Sequence, residues 1–229
     1  MRIRFTQNDS GRGKALRHQR PDGLGLGLMS LSVLFATVGL AFPKRACAAR
    51  TDLNPIISVR VYNYAQAPST MLAEADREAS RILSEAGVKS VWLDCSIVPS
   101  ADIPPNPCPE PIEATEVRLR ILSAPVRNSL HDTAYGFAII PALATVYSES
   151  ALGFARNDEG EFEAPIVLGC AIAHEIGHLL LGSNSHSVSG VMCARWERKH
   201  IRQAMMGAMV FSPAEARLIQ SEVRRRMTS

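Results

Sequence analysis

Aromatic residues make up only 6% of the 229 residues, and no run of Lys and Arg is interleaved with them. A chain without that pattern lacks the usual means of tracking a nucleic-acid backbone. Neither sign of charge dominates. The formal charge is +3, yet the first 48 residues hold eight basic side chains against Asp9 and Asp22 alone, so the remainder carries 17 basic and 20 acidic groups. That near-neutral body excludes a nucleic-acid partner. There is also no internal repeat, which excludes a solenoid, and 46% apolar with 21% charged residues excludes a disordered tail.

One long apolar run stands near the start, Leu24 to Phe42, after a basic stretch and before the small residues Ala46-Cys47-Ala48. This is the layout of a signal peptide over residues 1–48, which leaves a single domain over 49–229. A retained anchor is the alternative, since 19 apolar residues nearly span a bilayer, and only in that case is a membrane a partner. Either way the body is expected to be secreted, periplasmic or otherwise extracytoplasmic. Four cysteines remain beyond residue 48 (Cys95, Cys108, Cys170 and Cys193), an even number that an oxidising compartment would pair in one of three ways. Pairing by neighbourhood joins Cys95 to Cys108 across a segment too rich in proline for a helix or an inner strand.

Residues 56–64 alternate apolar and polar and read as a strand. A helical period follows from Ser69, the expected N-cap, to a stop at Gly87, and Val88 to Leu93 reads as a second strand parallel to the first. Val117 to Leu122 is a third. Gly136–Ile140 and Ala144–Tyr147 are weaker strands separated by Pro141, and residues 156–163 form an acidic, solvated loop. From about Ile166 to Leu181 the chain is almost wholly apolar, a helix expected to be buried on all sides. Ser212-Pro213-Ala214-Glu215 opens a C-terminal helix, whose Arg224, Arg225 and Arg226 oppose the negative end of its dipole. The fold class that results is α+β: a twisted mixed sheet with a crossover helix, a buried active-site helix and a C-terminal helix.

Within the apolar helix stands His174-Glu175-Ile176-Gly177-His178. Residues four apart share a helical face, so both imidazoles can reach one metal ion, with Glu175 beside them as a general base toward water. Zinc suits imidazole ligands and brings water to a pKa of about 7. Two histidines and a glutamate in such a helix would be costly without a common partner. His186 is the expected third ligand. Glu197 is the competing one, although Trp196-Glu197-Arg198-Lys199 reads as an exposed polar stretch. His131 and His200 carry no motif and read as surface residues.

The whole stretch, HEIGHLLLGSNSHSVSGVM over 174–192, resembles the metzincin clan of zinc endopeptidases and within it the matrixin-like branch. The clan's pattern is His-Glu-x-x-His-x-x-Gly-x-x-His followed by a methionine in a tight turn below the metal. Here one residue is inserted on each side of Gly182. The resemblance implies His174, His178 and His186 as ligands of one catalytic zinc, Glu175 as catalytic base, Gly182 as the helix stop and Met192 as the turn methionine. It also implies that the turn underlies the active-site helix, which would bring Cys193 to Cys170 as a second disulfide. The function implied is that of an exported, monomeric zinc endopeptidase acting on a peptide or protein substrate, laid antiparallel to an edge strand at Ala144–Tyr147. The rival is a secreted zinc-binding or interaction module with little catalysis, favoured by the altered spacing and by the short stretch between Ala49 and Ile56, too short for an inhibitory propeptide.

Overall fold

The computed structural model describes residues 54–96, 108, 111–124, 135–156, 164–182 and 184–229. The expected signal segment, the acidic loop after residue 156 and His131 lie outside them. Alternation sets the first strand, β1 (Ile56–Asn63), in which Ile57, Val59 and Val61 are buried. Helix α1 (Ser69–Glu85) follows, and here the expectation is corrected: Pro68 is the N-cap and Ser69 the first helical residue, with no side-chain cap bond. Proline serves there because its φ of −55° directs the chain into the helix while the Leu72 N–H bonds to its carbonyl. At the other end Gly87, at φ +75°, lets its own N–H reach Ser84 and the Val88 N–H reach Leu83, a Schellman termination.

Strands β2 (Lys89–Asp94), β3 (Glu116–Leu122), β4 (Gly136–Ile139) and β5 (Leu143–Tyr147) complete a sheet of order β2-β1-β3-β5-β4. β1 pairs in parallel with β2 and β3, β3 in parallel with β5, and only β4 runs antiparallel, against β5. The fold is thus α+β with a mixed, mostly parallel sheet. Ala144–Tyr147 is not an edge: β5 lies between β3 and β4, because it pairs with Arg118–Leu122 on one side and the short β4 covers the other.

Helix α2 (Ser148–Arg156) leads from β5 toward α3 (Ala164–Leu181), and after the site loops come α4 (Arg198–Met205) and α5 (Pro213–Met227). α3 is long and apolar enough to cross a membrane by composition, but most of it is buried within the fold. It packs on α1 at Gly169, where a Cβ would stand 2.6 Å from the Ala75 carbonyl oxygen and 2.7 Å from Glu78 Cβ. The core lies between this helix pair and the sheet face bearing Val59, Leu119, Ala144 and Val146. On the opposite face Arg60, 3% exposed, pairs with Glu116 at 2.5 Å across β1 and β3. Ser212 and Glu215 form the capping box of α5 with Pro213 in its first turn. Arg226 does more than oppose a dipole. Its guanidinium is buried and donates to Leu179 O at 2.6 Å, to Pro141 O at 3.1 Å and to Glu222 Oε1 at 2.8 Å, joining α5 to the last turn of α3.

Candidate metal centre

His174 and His178 lie one turn apart on α3, and Gly182, at φ +104°, ends the helix with its N–H on the His178 carbonyl. The chain then turns back so that His186 faces the same point. His178 Nε2 lies 3.0 Å from His174 Nε2 and 3.2 Å from His186 Nε2. Among the described residues these three imidazoles form the group able to hold a metal ion.

The hydrogen bonds of the other ring nitrogens decide what that convergence means. His174 Nδ1 lies 2.8 Å from Val191 O, and a carbonyl can only accept, so the proton is on Nδ1. His178 Nδ1 lies 3.0 Å from Ser185 Oγ, while the Ser185 hydroxyl donates to Gly182 O at 2.7 Å and therefore accepts from the ring. In neutral His174 and His178 both Nε2 atoms are then bare lone pairs, facing one another at 3.0 Å. A cation between them removes that repulsion. Three nitrogens at about 2.0–2.1 Å from a tetrahedral ion would stand roughly 3.3 Å apart, which the two distances approach closely. Burial, reinforced by the neighbouring imidazoles, holds His174 down to about 4 against the Val191 bond, so it is neutral and ligand-competent at pH 7. His178 is likewise lowered, first by burial and then by His186.

Glu175 follows His174 on α3 and reaches toward Gly136 of β4. It is 4% exposed, its Oε2 has no hydrogen-bond partner among the described residues, and burial pushes its carboxyl up to about 8. Room for it comes from β4: a Cβ on Gly136 would stand 2.9 Å from Glu175 Cγ and would also strike the Thr145 carbonyl. Below α3 lies the turn carrying Met192. Gly190, at φ +74°, accepts from the Cys193 N–H at 3.2 Å, Ser187 N–H bonds Met192 O at 2.9 Å, and Val191 N–H bonds Val210 O at 3.1 Å. Met192 is fully buried, and a Cβ on Gly177 would stand 2.5 Å from its sulfur. Glycine at position 177 is what lets the turn approach the helix.

Several expectations need correction. Cys95 and Cys108 are joined, with Cα atoms 5.8 Å apart, but Cys170 and Cys193 are both free. Cys170 is fully buried on the side of α3 that meets α1, 3.9 Å from Glu78 Oε1, whereas Cys193 Sγ turns to Arg195 O at 3.3 Å. The turn meets α3 at His174 and Gly177, whereas Cys170 is directed at α1 and so does not face Cys193. Glu197 is not in the histidine group: it caps α4, bonding His200 in a reciprocal box and pairing with Lys199 at 3.2 Å. His200 is 4% exposed, and Trp196 is buried at 8%. The Trp196 ring stands edge-on to His174 at 6.0 Å and stacks on Tyr135 at 4.9 Å. Trp196 was hidden in a segment dominated by charges, where the sole signal was a large apolar residue within an otherwise polar run.

Comparison with protein families and with curated proteins finds no match. A solved structure, a zinc-dependent peptidase from Methanocorpusculum labreanum (strain Z), superposes at a TM-score of 0.49 with 16% identity, over 70% of this chain and 99% of its own. A likeness at that level assigns no role to any residue here.

Proposed function

We propose that this chain is an exported zinc-dependent endopeptidase in which His174, His178 and His186 hold the metal and Glu175 is the general base. The observation that carries the reading is the convergence of three Nε2 atoms on one point with the outer nitrogens of His174 and His178 already committed as donors. A zinc ion bound there supplies Lewis-acid polarisation of a peptide carbonyl and acidification of attacking water. Glu175, adjacent in sequence to His174, would accept the proton of the attacking water as a carboxylate and hand it to the departing amine. Gly136, on the antiparallel edge strand β4, keeps space open beside that carboxyl, so an extended peptide along β4 would pass close to it. The metzincin resemblance of 174–192 supports the same assignment, with Met192 as the floor of the site. Export is supported by the apolar segment before residue 48 and by the Cys95–Cys108 disulfide.

The test pairs metal analysis with peptide-library digestion. Purified protein is expected to hold one zinc and to cleave peptides in a zinc-dependent way, and Glu175→Gln to keep the metal while losing about 100-fold or more in kcat/KM. Bound zinc without cleavage by the native chain would point instead to a zinc-binding module, and a native chain that takes up no zinc would overturn the reading.

A further inference from the structure

We propose that Ser185 is a positioning residue that fixes His178 in its Nδ1–H tautomer and so presents the Nε2 lone pair to the metal. This rests on the metal-binding reading above. The stretch from His178 to His186 is two residues longer than the pattern it resembles, and Ser185 lies in that lengthened loop. The loop therefore does more than span a distance: it carries a hydroxyl back to the first half of its own ligand pair.

The direction of the relay follows from donors and acceptors. Gly182 closes α3 and leaves its carbonyl oxygen directed at the loop, where it accepts from Ser185 Oγ at 2.7 Å. With its only proton committed, Ser185 Oγ can meet His178 Nδ1 at 3.0 Å solely as an acceptor. The imidazole must then carry hydrogen on Nδ1, and Nε2 is left as the ligand atom. His174 reaches the same state through the Val191 carbonyl, so each helix-borne ligand is oriented by the loop that follows α3. Both acceptors are uncharged, which leaves Glu175 as the carboxylate nearest the ligands in sequence. The Gly182 carbonyl also faces the His178 ring, so loss of the hydroxyl would remove the better-placed of two acceptors rather than both. That places the expected effect at the lower end of the 10–100-fold range found when the orienting partner of a metal ligand is lost.

Long-range 1H–15N spectra of the metal-free protein at pH 8 read the tautomer directly. His178 is expected as Nδ1–H in the native chain, shifted toward Nε2–H in Ser185→Ala, and restored in Ser185→Thr. Competition against a chromophoric chelator is expected to show zinc bound about tenfold more weakly by Ser185→Ala and within about threefold of native by Ser185→Thr. A loop that merely lost packing would weaken zinc without moving the tautomer. Nε2–H as the main form in the native protein would overturn the proposal even if the alanine variant failed to fold, and so would an alanine variant with unchanged tautomer and zinc affinity. If the native chain takes up no zinc at all, the metal reading falls, while the tautomer in the metal-free protein still decides the role of Ser185.

Discussion

Gly177 shows how little room the centre leaves for a single side chain. A methyl group there would stand 2.5 Å from Met192 Sδ and 2.9 Å from Phe211 Cε1, both inside van der Waals contact. Gly177→Ala gains helix propensity of about 1 kcal/mol yet must displace a buried methionine and a buried phenylalanine. Overpacking of that kind costs about 1–3 kcal/mol, so the net expectation is a lower melting temperature together with weaker zinc binding, measured by thermal denaturation and chelator competition. Asp76 poses a different problem. Burial, followed by the nearby Asp94 carboxylate, raises its pKa from 3.8 to about 7, and its Oδ1 has no partner among the described residues. Because the folded pKa lies above the unfolded one, the folded chain holds the extra proton, and stability falls as pH rises from about 4 through about 7. Between pH 5 and pH 8 the loss is roughly 2 kcal/mol after allowance for solvent screening. Asp76→Asn should remove that slope and be more stable than the native chain at pH 8, as urea unfolding at the two pH values would show.

At the scale of elements, Arg226 ties α5 to α3. It serves three acceptors, two of them carbonyls that would otherwise lie near the protein interior. Arg226→Ala leaves Leu179 O and Pro141 O unpaired, and a loss of about 2–4 kcal/mol is expected in equilibrium unfolding. Arg226→Lys should recover only part of it, since one ammonium cannot span the three. The elements differ in how far they could be read ahead of the structure. β1, α1 and β3 show their period in consecutive residues, α3 shows an unbroken apolar run, and the Gly87 stop and the Ser212 box that opens α5 are local chemistry. α4 is capped by Glu197 and His200 rather than by a hydroxyl, and its charged face hid the buried His200, Ile201 and Ala204. α2 follows β5 with no turn residue between, so nothing marked its start. The order of the strands and the α1-facing position of Cys170 depend on partners far along the chain. For that reason neither the inner place of β5 nor the free state of Cys170 can be read from local pattern.

For the whole molecule, the distances along the chain at which partners meet differ sharply from place to place. The convergent imidazoles are four and eight residues apart, whereas Arg60 meets Glu116 across 56 residues and Arg226 meets Leu179 across 47. Closing an eight-residue loop costs about 2 kcal/mol less chain entropy than closing one of 56. The ligand set can therefore come together while the central strands are still apart, and the order of assembly would run outward from the site. Zinc present during refolding is then expected to speed the folding arm of a stopped-flow chevron, leaving the unfolding arm nearly unchanged. The opposite pattern, slower unfolding at an unchanged folding rate, would mean that the histidines converge only after the sheet is built. In the first case metal supply in the compartment where the chain folds would govern how fast native protein appears there, as well as how active it becomes.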